Sequence, residues 1–141
     1  MALLRGVNVG GRKLAMADLR AIVEALGHID VKTYIQSGNV LFTPSDSGDG
    51  DSAALASALG AAIEERLAMA VGVVVLTREE LAAALEADPY ASEPDPRYVH
   101  LIFFASALDE AARERVAAAQ EAVAARGSRD TATILGRTLY L

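Results

Sequence analysis

The chain begins with MALLRGVNVGGRK at residues 1–13, where a short apolar segment runs directly into a glycine-rich basic loop. Met1 to Leu4 has the composition of a buried strand. The loop that follows, Arg5 to Lys13, combines positive charge, an amide side chain and glycine, which adopts backbone conformations that other residues avoid. This loop is therefore the first candidate for a functional site.

The residues after the loop predict a helix and two strands. Apolar residues follow one another at the spacing of a single helix face, at Leu19, Ile22, Val23 and Leu26. Gly27 stands where a glycine commonly ends a helix. The segments Val31–Gln36 and Asn39–Thr43 are typical of strands, and Gly38-Asn39 predicts a two-residue hairpin turn between them.

A second helix and a fourth strand complete the first half. The helix carries an inner apolar row at Leu55, Leu59, Ile63 and Leu67, and Val71 to Leu76 is a nearly continuous apolar strand. The order is β-α-β-β-α-β, which is the ferredoxin-like pattern. Between strand and helix, PSDSGDGD at residues 44–51 is a polar loop. Its Asp46, Asp49 and Asp51 resemble a calcium loop, but Ser57 would stand where such a loop needs glutamate, so we interpret it as a solvated loop.

The second half repeats part of the same order. Thr77 and Glu80 have the spacing of a capping box and predict a linking helix that ends at Asp88-Pro89. A strand at Tyr98–Ala105, a helix from Ser106 to about Gly127 and two strands follow, at Thr131–Leu135 and Thr138–Leu141. We therefore predict an α+β protein of tandem ferredoxin-like halves with antiparallel sheets. Residues 1–76 form the first half, and residues 77–141 form a linking helix and a truncated β-α-β-β half.

Composition excludes several classes of protein. The 141 residues carry a net charge of −6, yet residues 1–43 hold five Lys and Arg against three acids. An acidic chain is poorly suited to non-specific nucleic-acid binding, but one basic loop can still bind a small anion. There is no cysteine, no apolar run of the roughly 18 residues that cross a bilayer, and no signal-peptide pattern. We expect a cytoplasmic protein.

Three segments closely resemble domain-of-unknown-function family 1697: residues 2–11, residues 16–27 and TYIQSGNVLF at residues 33–42. The similarity is specific in residues 2–43 and continues more loosely to Leu141. The resemblance implies a mainly bacterial family of two ferredoxin-like halves without an established activity. Members usually continue with a Ser-Lys-Leu helix and an Arg-Asn-Trp segment, neither of which occurs here; we expect a chain that is either naturally short or truncated.

The predicted topology brings the loop after strand one next to the hairpin after strand two. We therefore predict a site for a phosphate-bearing or other anionic ligand, formed by Arg5, Asn8, Gly10, Gly11, Arg12, Lys13, Ser37 and Asn39. The alternative is structural, with glycines that shape a tight connection and with Arg5 and Arg12 bonded within the protein. The spacing of Gly6 and Gly11 matches a P-loop, but Arg12 and Lys13 replace its Lys and Ser/Thr.

Other functions remain as alternatives. No metal site, cofactor or catalytic constellation is predicted. His28 follows a helix end, His100 lies in a strand, and paired acids such as Glu64-Glu65 do not face each other. An enzyme that uses Arg5, Asn8 or Arg12 for electrostatic stabilisation stays open. Single-stranded nucleic acid is disfavoured because the strands offer only Tyr34 and Phe42 for stacking.

A homodimer or other interaction protein is the third hypothesis. Both pleat faces of the first sheet look apolar, in Leu3-Leu4, Val40–Phe42 and Val73–Val75. Helices cover only one face of such a sheet, so the second half or another chain is expected on the other. We also expect Thr138–Leu141 to be an unpaired last strand that invites strand addition.

Overall fold

The computed structural model describes residues 1–45 and 51–141. The chain divides into two compact units, Met1–Glu80 and Leu81–Leu141. Four α-helices and two antiparallel sheets within these two ranges confirm the α+β class. No helix in the described residues is both long enough and apolar enough to cross a bilayer.

The first unit has the predicted β-α-β-β-α-β order. Its elements are β1 Ala2–Leu4, α1 Met16–Ala25, β2 Ile29–Tyr34, β3 Asn39–Thr43, α2 Ser52–Leu67 and β4 Val73–Val75. The strands pair antiparallel in the order β2-β3-β1-β4, so β1 is a central strand. The loops after β1 and β2 therefore emerge at the same end of the sheet.

Apolar periodicity explains the packing of α1 and α2 on this sheet. The buried residues of α1 are those of the predicted stripe, Leu19, Ile22 and Val23. Leu59 and Ile63 are buried on α2, and they share one core with Ala2, Leu4, Val40 and Val75 of the sheet. Gly27 ends α1 as predicted, with φ +88°, and its N–H donates to Glu24 O at 2.9 Å.

The connection between β2 and β3 is longer than predicted. Tyr34 pairs with Asn39, so the loop has four residues, Ile35–Gly38, rather than the two-residue turn Gly38-Asn39. Ile35 and Gly38 take positive φ values of 50° and 83°, whereas Asn39 already belongs to β3. The sequence correctly predicts a positive φ at Gly38, but it predicts a two-residue turn where the structure has a four-residue loop.

The polar segment before α2 is described only at its borders. Asp46 and Asp49, two carboxylates of the calcium-loop pattern, lie outside the described residues. Asp51 is the N-cap of α2, and its carboxylate accepts a hydrogen bond from Ala53 N at 2.9 Å. This cap fixes where α2 begins.

The sheet face opposite the helices carries aliphatic or aromatic side chains from all four strands. Leu3 and Val74 are paired neighbours on that face and are half-buried. Leu41 is 45% exposed and Tyr34, on the same face, is 63% exposed. The apolar character predicted for this face is therefore real, but Leu41 and Tyr34 at its β2–β3 side keep much of their surface accessible.

The second unit contains a smaller sheet. Helix α3, Arg78–Glu86, spans the boundary between the units, and a short 3-10 helix lies at Pro96–Tyr98. The remaining elements are β5 Leu101–Phe103, α4 Glu110–Ala124, β6 Thr133–Leu135 and β7 Thr138–Tyr140. The capping box is confirmed, because Glu80 N donates to Thr77 Oγ1 at 3.0 Å and Thr77 N donates to Glu80 Oε2 at 2.8 Å.

The prediction that the last strand is unpaired was wrong. The strand order is β5-β7-β6, with β7 between the other two and antiparallel to both. Thr138, Leu139 and Tyr140 are all buried, as expected for a central strand. Strands β5 and β6 are therefore the edges of this sheet.

Candidate anion-binding site

Three loops meet at one end of the first sheet, and their backbones bond directly to one another. Leu4 N donates to Gly38 O at 3.1 Å, and Arg5 N donates to Gly72 O at 2.8 Å. We call residues 5–15, 35–38 and 68–72 the loop cluster. The predicted proximity of the glycine loop and the β2–β3 loop is thus present in the structure. The third loop was not predicted.

Asn8 fastens the glycine loop to its neighbours. Its side chain donates from Nδ2 to Gln36 O at 2.6 Å and to Leu14 O at 2.9 Å, while Oδ1 accepts from Leu14 N at 2.8 Å. Both amide hydrogens are therefore used within the protein. In this arrangement Asn8 positions the loop and has no N–H group left to donate to an anion, because its Oδ1 is only an acceptor.

Gly38 closes the contact between the two loops from the other side. It is buried at φ +83°, and a Cβ atom built on it would overlap Val7 Cγ2 and lie 2.9 Å from Leu4 Cβ. Val7 itself is only 4% exposed. A side chain at position 38 would therefore push the two loops apart.

The exposed surface of the loop cluster is cationic. Arg12 donates from its guanidinium to Ala70 O, and its backbone N donates to Val9 O at 3.1 Å. Arg5 and Lys13 are exposed. Within residues 1–45 and 51–141, no carboxylate forms an ion pair with Arg5, Arg12 or Lys13. Because Arg12 uses one of five N–H donors, it can still bind an anion.

Gly10 and Gly11 add backbone donors beside these cations. Both have positive φ, 59° and 85°, and both are exposed, with nothing within 4 Å of an added Cβ. Their N–H groups donate to no acceptor in the described part of the chain. Backbone N–H groups of this kind are common ligands for anions.

Ser37 and Asn39 lie at the β2–β3 loop of the cluster. Asn39 donates from Nδ2 to Ser37 Oγ at 2.8 Å, so the two predicted site residues are bonded to each other. Ser37 is exposed and its hydroxyl hydrogen can still donate, whereas Asn39 is half-buried at the start of β3. Ser37 is the better placed of the two for a ligand.

The two histidines were the other candidates for chemistry. His28 stacks on Phe42 with ring centroids 4.7 Å apart, and its buried Nδ1 has no hydrogen-bond partner in the described residues. His100 is exposed and pairs through its backbone with Leu141. No group of three or more His, Asp or Glu residues in the described ranges is arranged to hold a metal ion.

Sequence reasoning missed the contribution of residues 68–72. That loop takes part through the carbonyl groups of Ala70 and Gly72. Backbone carbonyls are present at every position, so they leave no pattern in a sequence. Ala68, the C-cap of α2, has an unusual φ of +50°. The sequence does not indicate this conformation, because alanine rarely adopts it.

Comparison with known proteins identifies a matching family and a similar solved structure. Residues 1–140 match a protein-family profile described as "Protein of unknown function (DUF1697)". A solved structure of the conserved bacterial protein SP0830 from Streptococcus pneumoniae is 26% identical, with a TM-score of 0.66. The match covers 99% of this chain and 72% of that one. No curated protein matches significantly.

Proposed function

We propose, from the premise that the chain belongs to the DUF1697 family of proteins of unknown function, that its first unit binds a phosphate-bearing small molecule at the loop cluster. The observation that carries this proposal is the absence of ion-pair partners for Arg5, Arg12 and Lys13 among the described residues. Three cations of one loop that form no ion pair within the described residues attract an anion. The protein as a whole is acidic, with a net charge of −6, so this basic patch has the opposite sign of charge from the whole chain.

The proposed ligand is a phosphate group rather than a carboxylate. Phosphate has three oxygens that accept strong charge-assisted hydrogen bonds, and the site offers more donors than a carboxylate can use. These donors are the N–H groups of Gly10 and Gly11, the guanidinium of Arg12, the ammonium of Lys13 and the hydroxyl of Ser37. Arg5 contributes charge at the edge of the same loop.

The clamp at Asn8 makes the site rigid before a ligand arrives. Loops held by backbone and amide bonds lose little conformational entropy on binding, so more of the interaction energy appears as affinity. In the proposed site the hydrogen bonds of Asn8, the contact of Gly38 with Val7 and the bond from Arg12 to Ala70 O provide this support. The cations need only adjust their side chains.

Thermal unfolding and isothermal titration with phosphate, pyrophosphate and adenosine diphosphate test the proposal. The variant is Arg12→Ala/Lys13→Ala. The matched control is Arg115→Ala/Arg126→Ala, which removes the same charge from exposed positions of the second unit. The readout is the increase in Tm that a probe causes, so any baseline change from losing the Arg12 bond to Ala70 does not interfere.

We expect at least one probe to stabilise the native chain and the control, and not the loop variant. At a probe concentration of a hundred times Kd the stabilisation is about 2.7 kcal/mol. If no probe shifts the native chain, or if the loop variant responds as strongly as the control, the proposed site is wrong.

We also infer that the two units are ferredoxin-like halves in tandem and that the protein is cytoplasmic. The β-α-β-β-α-β order and the β2-β3-β1-β4 strand order of the first unit support the fold assignment. The β-α-β-β order of the second unit is the first part of the same pattern. An experimental structure tests the fold, and fractionation of cells tests the location.

A further inference from the structure

The sheet face opposite the helices connects the loop cluster to an exposed aromatic ring. Tyr34 pairs with Asn39, and Asn39 also pairs with Leu3, so the three side chains share this face. The side chain of Asn39 donates to Ser37 Oγ at 2.8 Å. One hydrogen bond and one cross-strand pair therefore separate the proposed phosphate donor Ser37 from Tyr34.

Arg5 places a cation at the same end of this face. It follows Leu3 by two residues, and side chains two residues apart along an extended chain point to the same side. A Cβ atom built on Gly72 would lie 3.7 Å from Arg5 Cβ, so the two positions are opposite each other just beyond the paired part of β1 and β4. Because Gly72 has no side chain, the space beside Arg5 is open. The face thus offers a cation and a hydroxyl group at its loop end and an aromatic ring on the edge strand β2.

Tyr34 and Ile35 present apolar surface to water beside these donors. Tyr34 is 63% exposed and Ile35 is 60% exposed. Ile35 also has a φ of 50°, a conformation that is a genuine outlier for a β-branched residue. Neither burial nor backbone preference accounts for isoleucine at this position. Strained residues concentrate at ligand sites, so the strain at Ile35 points to a bound molecule that its side chain contacts.

The number of exposed rings limits the ligand to a single base. The first unit has two residues of the Phe, Tyr and Trp class, Tyr34 and Phe42. Phe42 packs against the core, and its ring stacks on His28 with centroids 4.7 Å apart. Proteins that bind single strands stack successive bases on several aromatic side chains and neutralise many phosphates. One exposed ring on an acidic chain instead suits a mononucleotide.

We infer that the ligand of the loop cluster is a mononucleotide, with its phosphate at the loop cluster and its base stacked on the ring of Tyr34 beside Ile35. This inference rests on the phosphate site proposed above and names the class of molecule that the site takes. A base has a flat π-face that can stack on tyrosine, which a sugar phosphate and inorganic phosphate lack. The base also covers the exposed side chain of Ile35.

Isothermal titration with three probes separates the contribution of the base from that of the phosphate. The probes are inorganic phosphate, ribose 5-phosphate and adenosine 5′-monophosphate. Tyr34→Thr removes the ring and keeps a residue suited to a strand, whereas Tyr34→Phe keeps the ring. Tyr98→Thr is the matched control, because it removes a comparably exposed ring, 70% accessible, from the second unit.

The ratio of two dissociation constants is the decisive quantity. We expect the native chain, Tyr34→Phe and Tyr98→Thr to bind adenosine monophosphate about tenfold more tightly than ribose 5-phosphate, which is the gain from one stacked base. In Tyr34→Thr this advantage should disappear, while the Kd for inorganic phosphate stays unchanged.

A substitution at Ile35 tests the same contact through a second residue. Asparagine tolerates positive φ, so Ile35→Asn should raise Tm by relieving backbone strain. We expect it also to weaken adenosine monophosphate relative to inorganic phosphate. Ile29→Asn, at the opposite end of β2 where Ile29 is 58% exposed, should leave that ratio unchanged. A purely structural role of Ile35 would change Tm and not the ratio.

The possible results distinguish the mononucleotide from the phosphate site itself. Equal Kd values of the native chain for adenosine monophosphate and ribose 5-phosphate, or an advantage that Tyr34→Thr retains, would overturn the mononucleotide and leave the phosphate site intact. If none of the three probes binds, or if Arg12→Ala/Lys13→Ala binds them as tightly as the native chain, the phosphate site is wrong and the mononucleotide is wrong with it.

Discussion

Gly38 and Val7 are in such close contact that position 38 has no room for a Cβ atom, which would overlap Val7 Cγ2. The β2–β3 loop therefore passes directly over the start of the glycine loop. Gly38 also has φ +83°, where a side chain is strained in any surroundings. Two independent physical reasons require glycine at this position.

Gly38→Ala is expected to lower the free energy of unfolding by about 2–5 kcal/mol, since strain at positive φ costs about 1–2 kcal/mol and overpacking about 1–3 kcal/mol. Urea unfolding followed by circular dichroism measures the change. Gly10→Ala is the matched control, because Gly10 has φ +59° but nothing within 4 Å of an added Cβ. Gly10→Ala should lower the free energy of unfolding only by the cost of the backbone strain, about 1–2 kcal/mol. Equal losses in the two variants would show that the contact with Val7 is unimportant.

Removing the side chain of Asn8 is expected to loosen the loop cluster. Asn8→Gly preserves access to the observed φ of 57° while it deletes three hydrogen bonds. We expect a loss of about 2–4 kcal/mol in the free energy of unfolding, because Leu14 N and two carbonyls lose their partners. Asn39→Ala deletes only an exposed bond to Ser37 and should cost less than about 1 kcal/mol. A stable Asn8→Gly variant with unchanged phosphate binding would contradict the role of Asn8 as a clamp.

Tyr140 is expected to make the second unit sensitive to alkaline pH. Its hydroxyl donates to Ala84 O at 2.9 Å, and burial, followed by the charge of Asp88, raises the pKa of Tyr140 above 10.0. The unfolded chain therefore releases this proton at a lower pH than the folded chain. The stabilising contribution is complete below about pH 10 and is lost as the pH rises through the folded pKa.

Urea unfolding at pH values from 8 to about 11 measures this effect as the difference between the native chain and Tyr140→Phe. The native chain should lose up to about 1.4 kcal/mol more per pH unit in the alkaline range than the variant. Tyr98→Phe is the control, because Tyr98 is 70% exposed and should leave the alkaline loss unchanged. Parallel pH profiles for the native chain and Tyr140→Phe would contradict the prediction.

The capping box at the start of α3 provides a local prediction. Thr77→Ala removes the acceptor of Glu80 N and should lower the free energy of unfolding by about 1 kcal/mol. Thr77→Ser keeps the hydroxyl and should retain most of the stability. Thermal unfolding of the native chain, Thr77→Ala and Thr77→Ser distinguishes the contribution of the hydroxyl group to stability from that of the methyl group. If the serine and alanine variants melt together, the hydrogen bond does not stabilise the helix.

Features with a local cause were predictable from the sequence. Gly27 ends α1, and Thr77 with Glu80 begins α3, because each signal depends on residues within one turn of the chain. The apolar rows of α1 and α2 likewise identified buried residues. The order of elements followed from these signals taken one after another.

Features that depend on distant parts of the chain were not predictable. Asn8 was expected as a ligand, and nothing near it in sequence reveals that its partner is Gln36 O, 28 residues away. The central place of β7 was missed because a three-residue strand has no pattern that separates a centre from an edge. The four-residue loop was missed because Ile35, a β-branched residue, has a positive φ.

The bonds from Leu4 N and Arg5 N to the β2–β3 and α2–β4 loops have a consequence for amide hydrogen exchange. These two donors lie at the end of the central strand, and their protons exchange only when the neighbouring loops separate. A molecule that holds the loops together makes such openings rarer. Deuterium uptake at Leu4 and Arg5 therefore reports occupancy of the loop cluster from backbone positions that need not touch the bound molecule.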